Sequence, residues 1–217
     1  AVGADGNVSV SGMSGYVPGC RGGGGGYDVW ALRFDAAGNQ LWQFTIGKSA
    51  EDYGQTAQID SAGNTYISGL AGDYEGGVLS SSSSRSGFLL KINSAGDVQY
   101  FKNYRELSWV RTAALDAQGN SYLISDYWPE SGEKVTGSFI GVLDKIDTLG
   151  AKTWSQKVVT DSTTWSPSEG MLLGVALSTD GKTVYVTGWS QAVFAGQERI
   201  GMQDAFLAAY DTNGTLI

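Results

Sequence analysis

QIDSAGNTYISG, residues Gln58 to Gly69, is the stretch whose reading decides the fold. At its centre, Asp60 can bond its side chain to a downstream backbone N–H. Three residues on, Gly63 is free to take the positive φ that closes a hairpin. The pattern recurs. AVGADGNVSVSG opens the chain, ALDAQGNSYLIS and ALSTDGKTVYVTG follow, and the turn glycines Gly6, Gly63, Gly119 and Gly181 are spaced 57, 56 and 62 residues apart.

A second element alternates with the first: VWALRFDAAGNQLWQF, FLLKINSAGDVQYF, VLDKIDTLGAKTWSQ and FLAAYDTNGTLI, centred on Gly38, Gly96, Gly150 and Gly214. Four residues before each glycine stands Phe34, Ile92, Ile146 or Tyr210, and eight before stands Trp30, Phe88, Val142 or Phe206. Even spacing places these side chains on one face of a strand. Four residues after come Trp42, Tyr100 and Trp154. Asp35, Asn93, Asp147 and Asp211, with Asp60 and Asp116, hold the side-chain-bonding place three residues before their glycines.

Each repeat therefore predicts two hairpins: an innermost strand (YGQTAQID), a second (TYISGLA), a third (GFLLKIN) and an outer one (VQYFKNY). Small antiparallel sheets repeated at this period predict an all-β fold, a β-propeller of four-stranded blades, with four repeats in residues 1–217 as a single domain. The repeats run approximately 1–57, 58–113, 114–174 and 175–217. Common propeller repeats are roughly 40 to 50 residues long, and the extra length falls between second and third strands, as in Ala71 to Ser86. Ala1 begins part-way into an innermost strand, and Ile217 ends as the fourth outer strand begins, so the last blade lacks its outer strand. An unpaired edge invites docking. The expectation is a segment of a longer polypeptide, or strand addition by a neighbouring chain.

Composition agrees with many short strands and tight turns: 32 Gly, 7 Trp and 11 Tyr against 3 Pro and 3 Met. A net charge of −8 without a run of Lys or Arg argues against nucleic acid and against anionic membrane surfaces. No apolar run approaches the roughly 18 to 20 residues of a spanning helix, and no signal peptide is visible, so no membrane insertion is expected. Cys20 is the single cysteine and reads as a tolerated loop residue. The chain has no histidine, which removes Ser-His-Asp hydrolysis, Cys-His chemistry and His-ligated zinc or iron.

These repeats resemble the SBBP type of bacterial β-propeller repeat. The resemblance rests on DVWALRFDAAGNQLW (Asp28 to Trp42), Asp204 to Leu216, E-D-Y-G (Glu51 to Gly54) and D-S-x-G-N-x-Y-x-x-G (Asp60 to Gly69). In the third repeat Ser166 to Gly170 replaces the acidic-Tyr-Gly element. The resemblance implies a secreted or surface-exposed bacterial propeller without assigned enzymatic activity. A weaker similarity to quinoprotein-type repeats, in DAAGNQLW and DTLGAKTW, implies that Trp42 and Trp154 dock one blade on another.

Candidate sites divide by position. RGGGGGYDVW matches the G-G-x-G-x-D-x-U-x calcium repeat at Gly23, Gly24, Gly26, Asp28 and Trp30, but a single copy lacks the stacking such sites use, so it reads as a loop feeding a strand. No cofactor is expected, with calcium at a pole left open because its ligands need not be contiguous. Glu51 with Asp52, Asp73 with Glu75 and Glu130 with Glu133 read as solvated loop acids. Trp30, Trp42 and Trp154 read as packing or docking residues, whereas Trp109, Trp128, Trp165 and Trp189 fall near strand ends or in loops and are the candidate ligand-stacking residues. Asn7 and Asn213 begin glycosylation sequons that their turns already explain, and Ser80 to Ser84 reads as a solvated loop. No catalytic or metal residue is assigned. The functional expectation is a non-enzymatic extracellular or cell-surface module, structural, adhesive or assembling, with protein or self partners. The alternative is a propeller that binds or processes carbohydrate through loop Trp and acidic residues.

Overall fold

A computed structural model of the chain describes residues 1–15, 26–47, 51–72, 74–75, 78–79, 85–127, 138–160, 170–194, 197–198 and 200–217. Strands β1 (Val8–Ser14), β2 (Asp28–Phe34) and β3 (Gln40–Ile46) form the first antiparallel sheet. After β4 (Tyr53–Ile59) and β5 (Thr65–Gly72) comes a short hairpin, β6 (Tyr74–Glu75) with β7 (Val78–Leu79). Strands β8 (Arg85–Ile92) and β9 (Val98–Tyr104) then complete a second sheet of order β4-β5-β8-β9. The third holds β10 (Leu107–Leu115), β11 (Ser121–Tyr127), β12 (Ser138–Ile146) and β13 (Lys152–Thr160), and the fourth β14 (Gly170–Leu177), β15 (Thr183–Ser190) and β16 (Asp204–Asp211). No helix occurs among the described residues.

Two of the four sheets thus carry all four expected strands in the expected order. The fourth ends with a single bridge, Tyr210 to Leu216, where an outer strand would start. The first sheet departs from a four-stranded blade at the other side: Val2 bridges Val8 and no innermost strand forms. Strand β1 packs on β4, and a Cβ at Gly54 would lie 2.8 Å from the Gly12 carbonyl oxygen.

All eight turn glycines have φ between +69° and +97°. Before six of them an Asp or Asn carboxylate or amide oxygen accepts backbone N–H bonds from residues two and four ahead. Asp60 Oδ1 accepts from Ala62 at 3.0 Å and from Asn64 at 2.8 Å, and Asp35, Asn93, Asp116, Asp147 and Asp211 do the same. In the fourth sheet Ser178 takes this place and the turn is one residue longer, closing on Thr183.

The core lies between sheets. Along each third strand, residues an odd number before the turn glycine face the next sheet and even ones face the previous sheet. Val29 and Ala31 therefore meet Phe88, Leu90 and Ile92. Leu89 meets Val142 and Ile146, and Leu143 meets Ala208 and Tyr210. Each Val, Leu, Ile or Phe side chain among these contributes about 1.5–3 kcal/mol when fully buried. The sheets stack in chain order, one on the next, and no comparable packing joins the first to the fourth among the described residues. The arrangement is propeller-like.

Candidate functional site

Eight tight turns occupy one pole, so every strand end at the opposite pole opens into a longer connection or a junction between sheets. Loops presented by a rigid scaffold are where binding residues concentrate. At this loop-side pole the element Glu51 to Gly54 enters β4, and each of its four residues has a separate contact. Tyr53 donates its hydroxyl hydrogen to the exposed Glu51 carboxylate. Its ring stacks on Trp109, with centroids 5.3 Å apart and planes at 26°. Tyr27, from the entry to β2, is tilted against Tyr53 with centroids 6.1 Å apart and is half-exposed. Tyr53 and Trp109 both lie ten residues before their turn glycines, at equivalent places in the second and third sheets, and Met171 holds that place in the fourth. The ladder therefore follows from the repeat.

Asp52 corrects the sequence reading. It is buried, not a solvated loop acid: Oδ1 accepts the Gly72 N–H at 2.9 Å and its own N–H donates to the Tyr27 carbonyl at 2.6 Å. A backbone N–H donated to a carboxylate offsets part of the cost of its burial, and here the side-chain and main-chain bonds of Asp52 together tie the end of β5 to the first sheet. Asp28, the first residue of β2, is also buried, and desolvation pushes its carboxyl above the usual range. It lies against Gly47, where no Cβ would fit. Tyr27, Tyr53 and Trp109 thus form an aromatic ladder with Glu51 bonded to its middle ring, and Asp28 and Asp52 are buried at the entries to β2 and β4.

Of the four Trp residues singled out, Trp109 is in this ladder. Trp189, in β15 opposite Met171 and Ala205, is half-buried in the fourth sheet. Trp128 and Trp165 lie outside the described residues, as do Cys20, Gly23, Gly24, Asp73, Glu130, Glu133, Ser80 to Ser84 and Ser166 to Glu169. The calcium reading therefore rests on sequence alone. Trp42 and Trp154 do dock on the following sheet: Trp42 packs 3.1 Å from where a Gly96 Cβ would stand, and Trp154 Nε1 donates to the Thr212 carbonyl at 3.1 Å.

Two further cavities are lined by described residues. A polar one of about 270 Å³ at the turn pole is lined by Asp5, Asn7, Arg33, Asp60 and Ser94. Its charged groups largely satisfy one another. Buried Arg33 donates to the Gly63 carbonyl and pairs with Asp5 at 3.3 Å, and Asp60 is engaged by Asn64 and Tyr66. A groove of about 560 Å³ runs along the open edge of β16, between Phe194, Phe206, Leu207, Leu216 and Ile217. Sequence reasoning missed buried Arg33, because a lone cation on a strand carries no signal of its partner.

No family model and no curated protein matches the sequence. The structure is similar to hydrazine synthase of Kuenenia stuttgartiensis, with a TM-score of 0.55 at 13% identity, over 88% of this chain and 49% of that one. It is also similar to a protein of unknown function from Bacteroides caccae, with a TM-score of 0.40 at 11% identity over 88% and 76% of the two chains. The first likeness shows the propeller-like fold alone, and this chain spans about half the length of that match. No helix among the described residues is long and apolar enough to cross a membrane.

Proposed function

We propose that the chain forms a non-enzymatic β-propeller of the SBBP repeat type, working outside the cell or at its surface as a structural, adhesive or assembly module. The observation that carries this reading is the Tyr27–Tyr53–Trp109 ladder, built from three successive sheets at the pole that bears the long connections. Exposed aromatic edges backed by a rigid sheet suit recognition of another protein surface, since Trp and Tyr dominate interface energetics. Chemistry has less support. The chain has no histidine, and among the described residues the carboxyls raised by burial, Asp28 and Asp144, sit in different sheets.

A second reading, a glycan ligand, is favoured by the half-exposed Tyr27 ring and the exposed Glu51 carboxylate, both of which contact Tyr53. A glycan array with the parent chain, Trp109→Ala and Trp189→Ala separates the two. The module reading expects no sugar binding, with partner capture lost in Trp109→Ala. Strong sugar binding abolished by either substitution overturns it in favour of the glycan reading.

A further inference from the structure

The loop-side ladder holds the one contact between two tyrosine rings among the described residues. Tyr27 precedes β2 of the first sheet and Tyr53 opens β4 of the second, with ring centroids 6.1 Å apart and planes at 35°. Their main chains are tied together beside the rings, since the Asp52 N–H donates to the Tyr27 carbonyl at 2.6 Å. Trp109 steadies the Tyr53 ring from the third sheet. Tyr27 is 45% exposed, and exposed side chains change rotamer in picoseconds to nanoseconds. Its ring can therefore close on Tyr53 from a main chain that is already held in place.

Tyr53 also has a proton acceptor. Its hydroxyl donates to the exposed Glu51 carboxylate. A phenol that loses an electron becomes a strong acid, so a carboxylate already hydrogen-bonded to it eases oxidation by taking the proton as the electron leaves. Other tyrosines lack one part or another of this arrangement. Tyr66 donates to the Asp60 carboxylate but is buried, and buried Tyr104 donates to the Gly150 carbonyl, a much weaker base. Neither has a second tyrosine ring against it among the described residues.

We propose that Tyr27 and Tyr53 are a modification site, joined as a dityrosine by hydrogen peroxide and a peroxidase. Each phenol gives up one electron and one proton, and the Tyr53 proton passes to Glu51 and on to water. The two phenoxyl radicals couple through ring carbons next to their oxygens, and the hydrogen on each of those carbons returns to the oxygen as a proton. One peroxide is reduced to two waters for each bond formed. An oxidant that meets only Tyr27 serves both rings, because Tyr53 can refill the Tyr27 radical, which is then oxidised again. Rings held side by side couple with each other in preference to rings of other molecules. The new bond links the first sheet to the second and restricts the unfolded chain between residues 27 and 53, as a disulfide would. The inference goes beyond the recognition role proposed above and draws on that reading only for an oxidising surrounding.

Treating the dilute, folded 217-residue chain with hydrogen peroxide and a peroxidase tests this. The expected result is dityrosine fluorescence in the monomer fraction. Digestion should then yield a linked pair of peptides carrying Tyr27 and Tyr53, lighter than their sum by two hydrogen atoms. Tyr27→Phe and Tyr53→Phe, which keep the rings, should each lose that pair, and Glu51→Gln should form it several-fold more slowly. A folded parent chain in which Tyr27 and Tyr53 stay unjoined, or in which coupling occurs only between molecules or at other tyrosines, overturns the proposal. An unchanged rate in Glu51→Gln overturns the part given to Glu51. No partner or sugar enters the reaction, so its failure leaves the proposed function standing, and a failure of Trp109-dependent binding leaves the cross-link standing.

Discussion

Asp144 in β12 stands where the other sheets carry Leu32, Leu90 and Ala208, six residues before the turn glycine, and it is fully buried between the second and third sheets. Lys152 Nζ reaches its Oδ2 at 3.2 Å and also meets Glu106. Burial raises the Asp144 carboxyl above its ordinary 3.8, and the Lys152 charge opposes that only in part. Because the folded value is raised, the stability this group lends is present below 3.8 and is lost as pH rises through the folded value. At neutral pH the carboxylate is therefore a burden. Asp144→Leu, which restores the residue of the first two sheets, should raise unfolding free energy by about 1–4 kcal/mol, whereas Lys152→Met, which strands the buried charge, should lower it by about 3–5 kcal/mol. Urea unfolding at neutral and acid pH checks both, and the advantage of Asp144→Leu should shrink on acidification. Nothing in the sequence marks Asp144 as buried except its place in the repeat. The same holds for Arg33 and Asp52, whose partners at Gly63 and Gly72 are distant in sequence.

The hairpins were the most legible elements, because their geometry is set locally by an Asp or Asn and a glycine within four residues. The β-bulges were not. Gln55, Arg111 and Leu173 are left unpaired at the same place in three innermost strands, eight residues before the turn glycine, and Leu41, Gln99 and Thr153 at the same place in three outer strands. One extra residue leaves alternation intact on either side, so pattern counting passes over it. Turn glycines also answer to the neighbouring sheet. Gly38 and Gly96 close equivalent turns at φ +87° and +97°, yet a Cβ would meet nothing at Gly38 and would meet Trp42 at 3.1 Å at Gly96. Gly38→Ala should cost about 1–2 kcal/mol for the left-handed backbone. Gly96→Ala should cost about 1–3 kcal/mol more, since Trp42 must also give way. Thermal melts of the two variants measure the difference, and equal losses would mean that the docking of Trp42 on the turn is dispensable.

For the molecule as a whole, a recurring pattern of paired hairpins stacks small sheets in chain order, each covering the last. That much the repeat made legible, down to the order of strands within a sheet. The loop-side cluster was legible only in part: Trp109 was singled out from its strand-end place, but its stacking on Tyr53 depends on two sheets meeting, and a residue's own neighbourhood in sequence does not report that. Stacking in register also fixes contacts between residues far apart in the chain. Ser9 Oγ and Thr65 Oγ1, 56 residues apart and buried in the first and second sheets, lie at 2.8 Å. Cysteines at both places, on a Cys20→Ser background, bring two sulfurs within reach of the roughly 2.05 Å disulfide bond. Peptide mass mapping after oxidative refolding should recover the 9–65 cross-linked pair in folded protein. Folded protein in which both thiols remain free to alkylate would contradict the stacking of successive repeats.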